Sequence, residues 1–281
     1  MSDPRAFVIG HPIAHSRSPM LHGYWLKHYG IAGSYEKLDV VPEAIPAFFA
    51  AFDREGWVGG NVTVPHKLAV IPFLDRIDPA AEAMGAVNTI WREGADLVGG
   101  NTDAQGFIGN LDDRAPGWDA GAKRAVVLGA GGAARAAAYG LLGRGFAVTL
   151  CNRTLDKAEA LAAHFGRGVA AADWAALPAL LAQATLLVNA TSLGMVHQPP
   201  LEIDLTPMPA GGVVYDVVYV PLETELLAAA RARGLRPVDG LGMLLHQAVE
   251  GFQHWFGTRP EVTAELRALL EADIRAKTPA G

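Results

Sequence analysis

Apolar residues along the chain alternate between two spacings. Short runs of strand length are followed by stretches in which apolar positions recur every three or four residues, as on one face of a helix. Residues 6–10, 35–40 and 58–64 read as strands, and 18–29 and 42–54 as helices. Ser18 suits the N-cap of the first helix and Pro19 its first turn. Pro65 stops the third strand; 67–74 and 79–84 carry helical spacing. Strands at 86–91 and 97–100 form a hairpin around Glu93-Gly94. Residues 101–106 lead into a further helix, and 115–121 form a link containing proline and glycine. Next come a strand at 125–128, a helix reaching Gly145, a strand at 146–150 and a helix at 155–165. Strands at 185–189, 213–217 and 236–238 enclose a helix at 223–233. The last pattern, 241–256, is amphipathic, with Leu241, Leu244, Leu245, Ala248, Phe252 and Trp255 on one face. Strands alternating with helices predict an α/β protein. Residues 174–201 lack charge, but Pro178, Gln183, Asn189 and the Pro199-Pro200 pair break them into a helix, a buried strand and a loop.

The stretch 124–154 carries the most chemistry. Ala125 to Leu128 is apolar, Gly129-Ala130-Gly131-Gly132-Ala133-Ala134 follows, then an alanine-rich helix and a second strand ending at Cys151. Strand, glycine turn, helix, strand is a dinucleotide-binding unit. Gly129 permits the turn, Gly131 lets the backbone approach a pyrophosphate, and Ala134 lets helix and strand pack closely. The helix N-terminus presents free N–H groups to the phosphates. An NAD site carries an acid at the end of the second strand; here the tip reads Cys151-Asn152-Arg153-Thr154, with Lys157 one turn on. Arg153 pairs with a 2′-phosphate, which favours NADP over NAD.

Composition narrows the class further. The chain has 281 residues, 51% hydrophobic and 19% charged, enough apolar material for two domains. A net charge of −6 argues against a nucleic-acid surface. The single cysteine excludes a disulfide within the chain and a multi-cysteine zinc site, and fits a reduced, cytoplasmic thiol. No basic segment followed by a long apolar run marks a signal peptide.

A hydride transfer from an alcohol needs a group that takes the hydroxyl proton. No tyrosine has a lysine four positions on. His11 and His15 bracket Pro12, so they do not share a helical face, and no metal is expected. The best base is Lys67, in Gly59-Gly60-Asn61-Val62-Thr63-Val64-Pro65-His66-Lys67. It lies past a strand's C-terminal end, where open α/β sheets bind ligands. Alternation of Asn61 and Thr63 with Val62 and Val64 makes one strand face polar, and two glycines there are costly for packing alone. Without those neighbours, a solvated lysine is the plainer reading. Asp103, at the handover between domains, is its natural companion, with helix N-capping as the plainer role. Ser16 and Ser18, in a loop entering a helix N-terminus, suit a carboxylate, although Ser18 alone reads as a cap.

Nine segments carry a resemblance to one family: GHPIAHSRSPMLH, GGNVTVPHK, GAVNT, GGNTDAQG, VVLGAGGAARA, CNRT, NATSLGM, YDVVYVPLETELL and DGLGMLLHQA. In this order along nearly the whole chain, they resemble shikimate dehydrogenase. The resemblance implies reversible reduction of 3-dehydroshikimate to shikimate with NADPH, within chorismate and aromatic amino-acid biosynthesis. Lys67 then matches the proton-transferring lysine and Asp103 the carboxylate beside it. Ser16 and Ser18 match the serines that hold the substrate carboxylate, assisted by Tyr219; Thr63, Asn88 and Gln247 match residues lining the ring hydroxyls. Gly129, Ala130, Gly131, Gly132 and Ala133 match the pyrophosphate turn. Asn152, Arg153, Thr154 and Lys157 match the 2′-phosphate loop, and Val217, Gly240 and Met243 positions near the nicotinamide. Two departures stand out: Gly23 follows His22 where the family has asparagine, and Val217 replaces a frequent methionine.

The resemblance also sets the architecture. It implies two domains flanking an interdomain cleft: an N-terminal α/β substrate domain, residues 1–103 with 240–281, and a Rossmann-type NADP domain, residues 104–239. Pattern alone leaves the Gln247 helix with the cofactor domain. A small-molecule substrate, neither nucleic acid nor membrane, and a monomer or homodimer complete the expectation. The alternatives are a quinate/shikimate dehydrogenase of relaxed cofactor choice and a non-catalytic NADP-binding regulator.

Overall fold

The computed structural model describes residues 3–277. They form two compact units, residues 3–102 with 247–270 and residues 103–246 with 271–277. Among the described residues no helix is long and apolar enough to cross a membrane.

The first unit contains β1 (Arg5–Gly10), α1 (Ser18–His28), β2 (Ser34–Asp39), α2 (Ile45–Ala51), β3 (Trp57–Val62), β4 (Arg76–Ile77), α3 (Pro79–Met84), β5 (Thr89–Glu93) and β6 (Asp96–Gly100). They build a six-stranded sheet in the order β2-β1-β3-β5-β6-β4. The pairings β1–β2, β1–β3 and β4–β6 are parallel; β5 runs antiparallel to β3 and β6. Phe7, Ile9, Ile45, Phe52, Val62, Val70 and Ile90 form the core on one face. On α1, Leu21, His22, Trp25 and Leu26 are buried at helical spacing.

Several elements differ from the pattern reading. Ser18 is the first residue of α1 and not its cap; Arg17 holds that place, with φ −95° and ψ −3° and no side-chain cap bond. The expected helix at 42–54 is a single tight turn at Pro42–Ala44 followed by the short α2. Residues 67–74 form turns with one tight helical turn at Ile71–Phe73, where Pro72 removes a backbone donor. Residues 63 and 64 lie past the end of β3, and Val64 is 69% exposed, so the alternation does not extend to them. β4 is too short to leave a pattern.

The second unit contains α4 (Asp103–Arg114), β7 (Arg124–Leu128), α5 (Gly132–Gly143), β8 (Ala147–Cys151), α6 (Leu155–Phe165), β9 (Val169–Ala172), α7 (Leu177–Leu181), β10 (Leu186–Asn189), β11 (Val213–Asp216), α8 (Glu225–Ala232) and β12 (Arg236–Val238). Its all-parallel sheet has the order β12-β11-β10-β7-β8-β9. Counted along the chain this is 3-2-1-4-5-6, the doubly wound dinucleotide order. Each face carries its own apolar core, as a buried parallel sheet requires. β9, read as alanines, gave no strand signal.

Two helices cross the division in sequence, α9 (Leu241–Phe256) and α10 (Ala264–Lys277). The start of α9 belongs to the second unit because Gly242 lies against Asn110, where a Cβ would meet Oδ1 at 1.8 Å. Its later turns bring Phe252 and Trp255 onto α1: His22 stacks on Tyr35 at 4.0 Å and lies nearly parallel to Phe252 at 5.9 Å. Burial pushes the His22 imidazole down to about 3, outweighing the Asn61 amide. α10 lies beyond the last helix the pattern predicts, although its Leu266, Leu270 and Ile274 recur at helical spacing and are buried.

Candidate active site

In the first unit the strand order reverses between β1 and β3, since β2 and β3 lie on opposite flanks of β1. Such a reversal opens a crevice outside the carboxyl ends of the strands, the usual ligand position in open α/β sheets. The two loops leaving those ends are tied together. The Thr63 N–H donates to the Ile9 carbonyl at 2.9 Å and the His11 N–H to the Val64 carbonyl at 3.1 Å. A Cβ at Gly10 would strike Thr63 Cγ2 at 2.6 Å, so a larger residue would force the loops apart. Ser16 and Ser18, after β1, and Thr63 and Lys67, after β3, therefore share one edge of the sheet.

Within that edge, the Ser18 N–H donates to Ser16 Oγ at 3.3 Å. Ser16 accepts at this bond, which leaves its hydroxyl hydrogen available to donate. Ser18 is 7% exposed and bonds the Tyr35 phenol, which burial pushes well above its ordinary value. Lys67 is half-buried; its carbonyl accepts from the Val87 N–H at 2.8 Å, which fixes the turn that carries it. Gly59 and Gly60 do not mark a ligand edge, as the sequence suggested. A Cβ at Gly59 would lie 2.2 Å from the Ile90 carbonyl and one at Gly60 2.5 Å from the Phe7 carbonyl. They are glycines because the backbone packs there. Gly23 faces open space, so its departure from the family pattern disturbs no packing.

A buried polar array continues from this edge. β5 is antiparallel to β3, so its start lies beside β3's end, and Asn61 is paired with Thr89. Asn61 accepts from the Tyr35 hydroxyl at 2.6 Å and donates to the Asn88 carbonyl and Thr89 Oγ1, both at 3.2 Å. Asn88 Oδ1 accepts from the Thr102 N–H at 2.9 Å and the Thr89 hydroxyl at 2.8 Å, while its Nδ2 donates to Thr102 Oγ1 at 3.1 Å. Thr102 Oγ1 in turn lies 3.4 Å from Gln247 Oε1, from α9. Residues 61, 88, 102 and 247 thus converge from four separate segments. The sequence points to Asn88 and Gln247 and, through its polar alternation, to Asn61, but gives no role to Tyr35, Thr89 or Thr102. Asp103 follows Thr102 and opens α4 as its first residue, inside the helix and not ahead of it.

In the second unit the order reverses between β7 and β10. Gly129 leaves β7 with φ 108°, and a Cβ there would meet the Ala190 carbonyl, just past β10, at 3.1 Å. This glycine is demanded by both backbone conformation and close approach. At Gly131 and Gly132 a Cβ would meet nothing within 4 Å, so the space before the N-terminus of α5 is open. That open cradle of backbone donors fits a pyrophosphate. Ala130 and Ala133 pack against the core behind it. At the tip of β8, the Asn152 Nδ2 donates to the Thr154 carbonyl at 2.8 Å and shapes the loop. Arg153 and Lys157 are exposed, and Thr154 makes no side-chain cap bond to α6. The strand tip itself carries no acid, and Arg153 with Lys157 fits a 2′-phosphate, although Asp156 stands between them in the first turn of α6. Cys151, ending β8, is fully buried and its thiol is pushed up to about 11 by burial.

At the ends of β10 and β11, Asn189 and Asp216 are paired across the strands and both are fully buried. Val217 and Tyr219 follow on the outgoing loop, both half-buried. A Cβ at Gly240 would meet the Val217 carbonyl oxygen at 2.1 Å, so these backbones touch. Met243 is half-buried on α9 and packs against the core of this unit. Among the described residues there is no group of three or more His, Cys, Asp or Glu that could hold a metal ion.

Three family models match the chain. The shikimate dehydrogenase substrate binding domain matches residues 8–90, shikimate / quinate 5-dehydrogenase residues 114–196, and the shikimate 5′-dehydrogenase C-terminal domain residues 240–270. The shikimate dehydrogenase (NADP(+)) of Azorhizobium caulinodans is 58% identical over 278 residues, 99% of each chain. That of Mesorhizobium japonicum is 58% identical over 97% of this chain and 98% of its own. Among solved structures, Thermus thermophilus shikimate 5-dehydrogenase in complex with NADP(H) and shikimate is 37% identical, with a TM-score of 0.84 over 97% of this chain and 99% of that one. Quinate dehydrogenase from Corynebacterium glutamicum in complex with NAD is 31% identical, with a TM-score of 0.86 over 96% and 99%.

Proposed function

The chain belongs to the shikimate dehydrogenase family, and on that premise we propose that it catalyses the reversible, NADPH-linked reduction of 3-dehydroshikimate to shikimate. When bound, NADPH supplies the hydride. The residues of the chain bind, orient and move the proton. Ser16 and Ser18 hold the substrate carboxylate through hydroxyls and the N-terminus of α1, with Tyr219 assisting. Thr63, Asn88 and Gln247 bond the ring hydroxyls. Lys67 Nζ gives a proton to the carbonyl oxygen during reduction and takes it back from the hydroxyl during oxidation, with Asp103 as its acidic companion. Gly129 to Ala133 cradle the pyrophosphate. Asn152, Arg153, Thr154 and Lys157 take the adenosine 2′-phosphate, and Val217, Gly240 and Met243 flank the nicotinamide.

The observation that carries this division is the Asn88–Thr102–Gln247 array at the carboxyl edge of the first sheet, beside the loops that bear the two serines and the lysine. A polyhydroxylated ring acid needs several oriented polar groups opposite an anion site, and this edge supplies them. The single buried thiol supports a reducing, cytoplasmic setting, and a monomer or homodimer suffices for the chemistry.

The test is spectrophotometric: reduction of NADP and of NAD with shikimate and with quinate. Turnover of shikimate with NADP far above the other combinations supports the proposal. Equal use of quinate would make the enzyme a shared quinate/shikimate dehydrogenase, and NADPH binding without turnover of either acid would overturn it.

A further inference from the structure

The Asn189–Asp216–Thr224 cluster lies outside every role assigned above. Asp216 Oδ1 accepts from Asn189 Nδ2 at 2.9 Å and from the Val218 N–H at 3.0 Å; Oδ2 accepts from the Thr224 hydroxyl at 2.7 Å. Thr224 is also the N-cap of α8, where it accepts from the Leu227 N–H. Asn189 reaches the other way: its Oδ1 accepts from the N–H and hydroxyl of Thr191, and its Nδ2 also donates to the Leu193 carbonyl. One carboxylate therefore ties the loop after β10, the loop after β11 and the start of α8. All three donors are neutral, so no cation offsets its burial, which pushes the acid up to about 6. A fully buried carboxylate without a cation is costly for packing alone, and such groups concentrate at working sites.

What the cluster fixes is specific. The Val217 N–H donates to the Asn189 carbonyl at 2.9 Å, and the next N–H, of Val218, donates to Asp216 Oδ1. The Val218 carbonyl accepts from the Gly240 N–H at 3.3 Å. With Gly240 pressed against the Val217 carbonyl, the Val217–Val218 peptide is held by its N–H to Asp216 and by close contact at its carbonyl, while the peptides on either side of it are held by the bonds to Asn189 and Gly240. We propose that Asp216 is a positioning residue for the cofactor: by pinning the Val217–Val218 peptide against Gly240 it presets the surface that receives the nicotinamide end. This rests on the reading that Val217, Gly240 and Met243 flank the nicotinamide. Asp216 touches neither substrate nor cofactor in this role; it acts through the peptide that does.

The experiment compares two ligands by fluorescence titration: NADPH, and adenosine 2′,5′-bisphosphate, which carries the 2′-phosphate end but no nicotinamide. D216A should raise the NADPH Kd by about tenfold or more, the scale of losing a bond to a charged group, and leave the bisphosphate within about twofold. D216N, which keeps one acceptor oxygen, should fall between. T224V should weaken NADPH in the same selective way, and T224S should restore it. If D216A proves too unstable to purify, the T224V and T224S pair decides the matter. Thermal unfolding is followed in parallel: a lower Tm with unchanged NADPH affinity, or equal weakening of both ligands, would reduce the cluster to a structural brace and overturn the proposal. Wild-type turnover of shikimate tests the functional reading separately, because the two binding constants are measured without turnover.

Discussion

Asn88 and Thr102 exchange hydrogen bonds in both directions: the Thr102 N–H donates to Asn88 Oδ1 at 2.9 Å, and Asn88 Nδ2 donates to Thr102 Oγ1 at 3.1 Å. A backbone N–H can only donate, so it fixes which end of the Asn88 amide is oxygen. Thr102 also bonds Gln247, so one threonine orients two groups proposed to read the ring hydroxyls. Thr102→Val keeps the shape and removes the hydroxyl. It should raise the shikimate KM by about 3- to 10-fold, the weight of a neutral hydrogen bond, with NADPH KM unchanged. Steady-state kinetics with each substrate varied checks this; an unchanged shikimate KM would remove Thr102 from the array's work.

Lys67→Ala should lower kcat by roughly 100- to 10,000-fold, the usual share of a general acid–base group, while NADPH binding stays near wild type. Turnover at the wild-type rate would take the lysine out of the mechanism.

Arg153→Ala should weaken NADPH by about 10- to 100-fold, the scale of a charge-assisted bond, and barely affect NADH. The two cofactors titrated against the same variant give the answer. Equal losses would mean that Arg153 does not read the 2′-phosphate.

Gly59→Ala should cost about 2 kcal/mol or more of stability, because a methyl would enter the Ile90 carbonyl and the Trp255 ring at a φ of 152°. A chemical unfolding curve measures it. A neutral result would restore a ligand-facing reason for that glycine.

Asp216 gives the pH prediction. Its folded-state acid is raised from 3.8 to about 6, so between those values the folded chain holds the proton and the unfolded chain has lost it. Stability from this group therefore falls as pH rises across that window and is flat above it, an effect of about 3 kcal/mol in all. In D216N the slope assignable to this residue should vanish, as urea unfolding at pH 4, 5, 6 and 7 would show; an identical slope in the variant would place the titration elsewhere.

The sequence made the dinucleotide unit legible because its glycine turn must be local: Gly129 needs a positive φ and the cradle at Gly131 and Gly132 needs empty space. Ten of the twelve described strands were readable from short apolar runs for the same local reason, β4 and β9 being the exceptions. The polar array was not, since Tyr35 and Thr89 look like ordinary strand residues and Thr102 like a loop residue until register places them in contact, and the alternation that marks Asn61 names no partner for it. Gln247 joins them from a helix far along the chain, and nothing local announces that return. Asp216 sat inside a quoted motif without a role, because burial of its carboxylate is a property of packing and leaves no spacing signal. Gly59 and Gly60 misled in the other direction, their cause being cross-strand crowding that sequence does not display.

Cys151 ends the second strand of the dinucleotide unit, is the chain's one cysteine and is 0% exposed, with its thiol held up at about 11. Alkylating and maleimide reagents attack the thiolate, so the native protein offers them almost no target at neutral pH. Any cysteine introduced on the surface would thus be the sole handle for a fluorophore or spin probe. Nature has left this enzyme ready for single-site spectroscopy without first stripping a residue from its core.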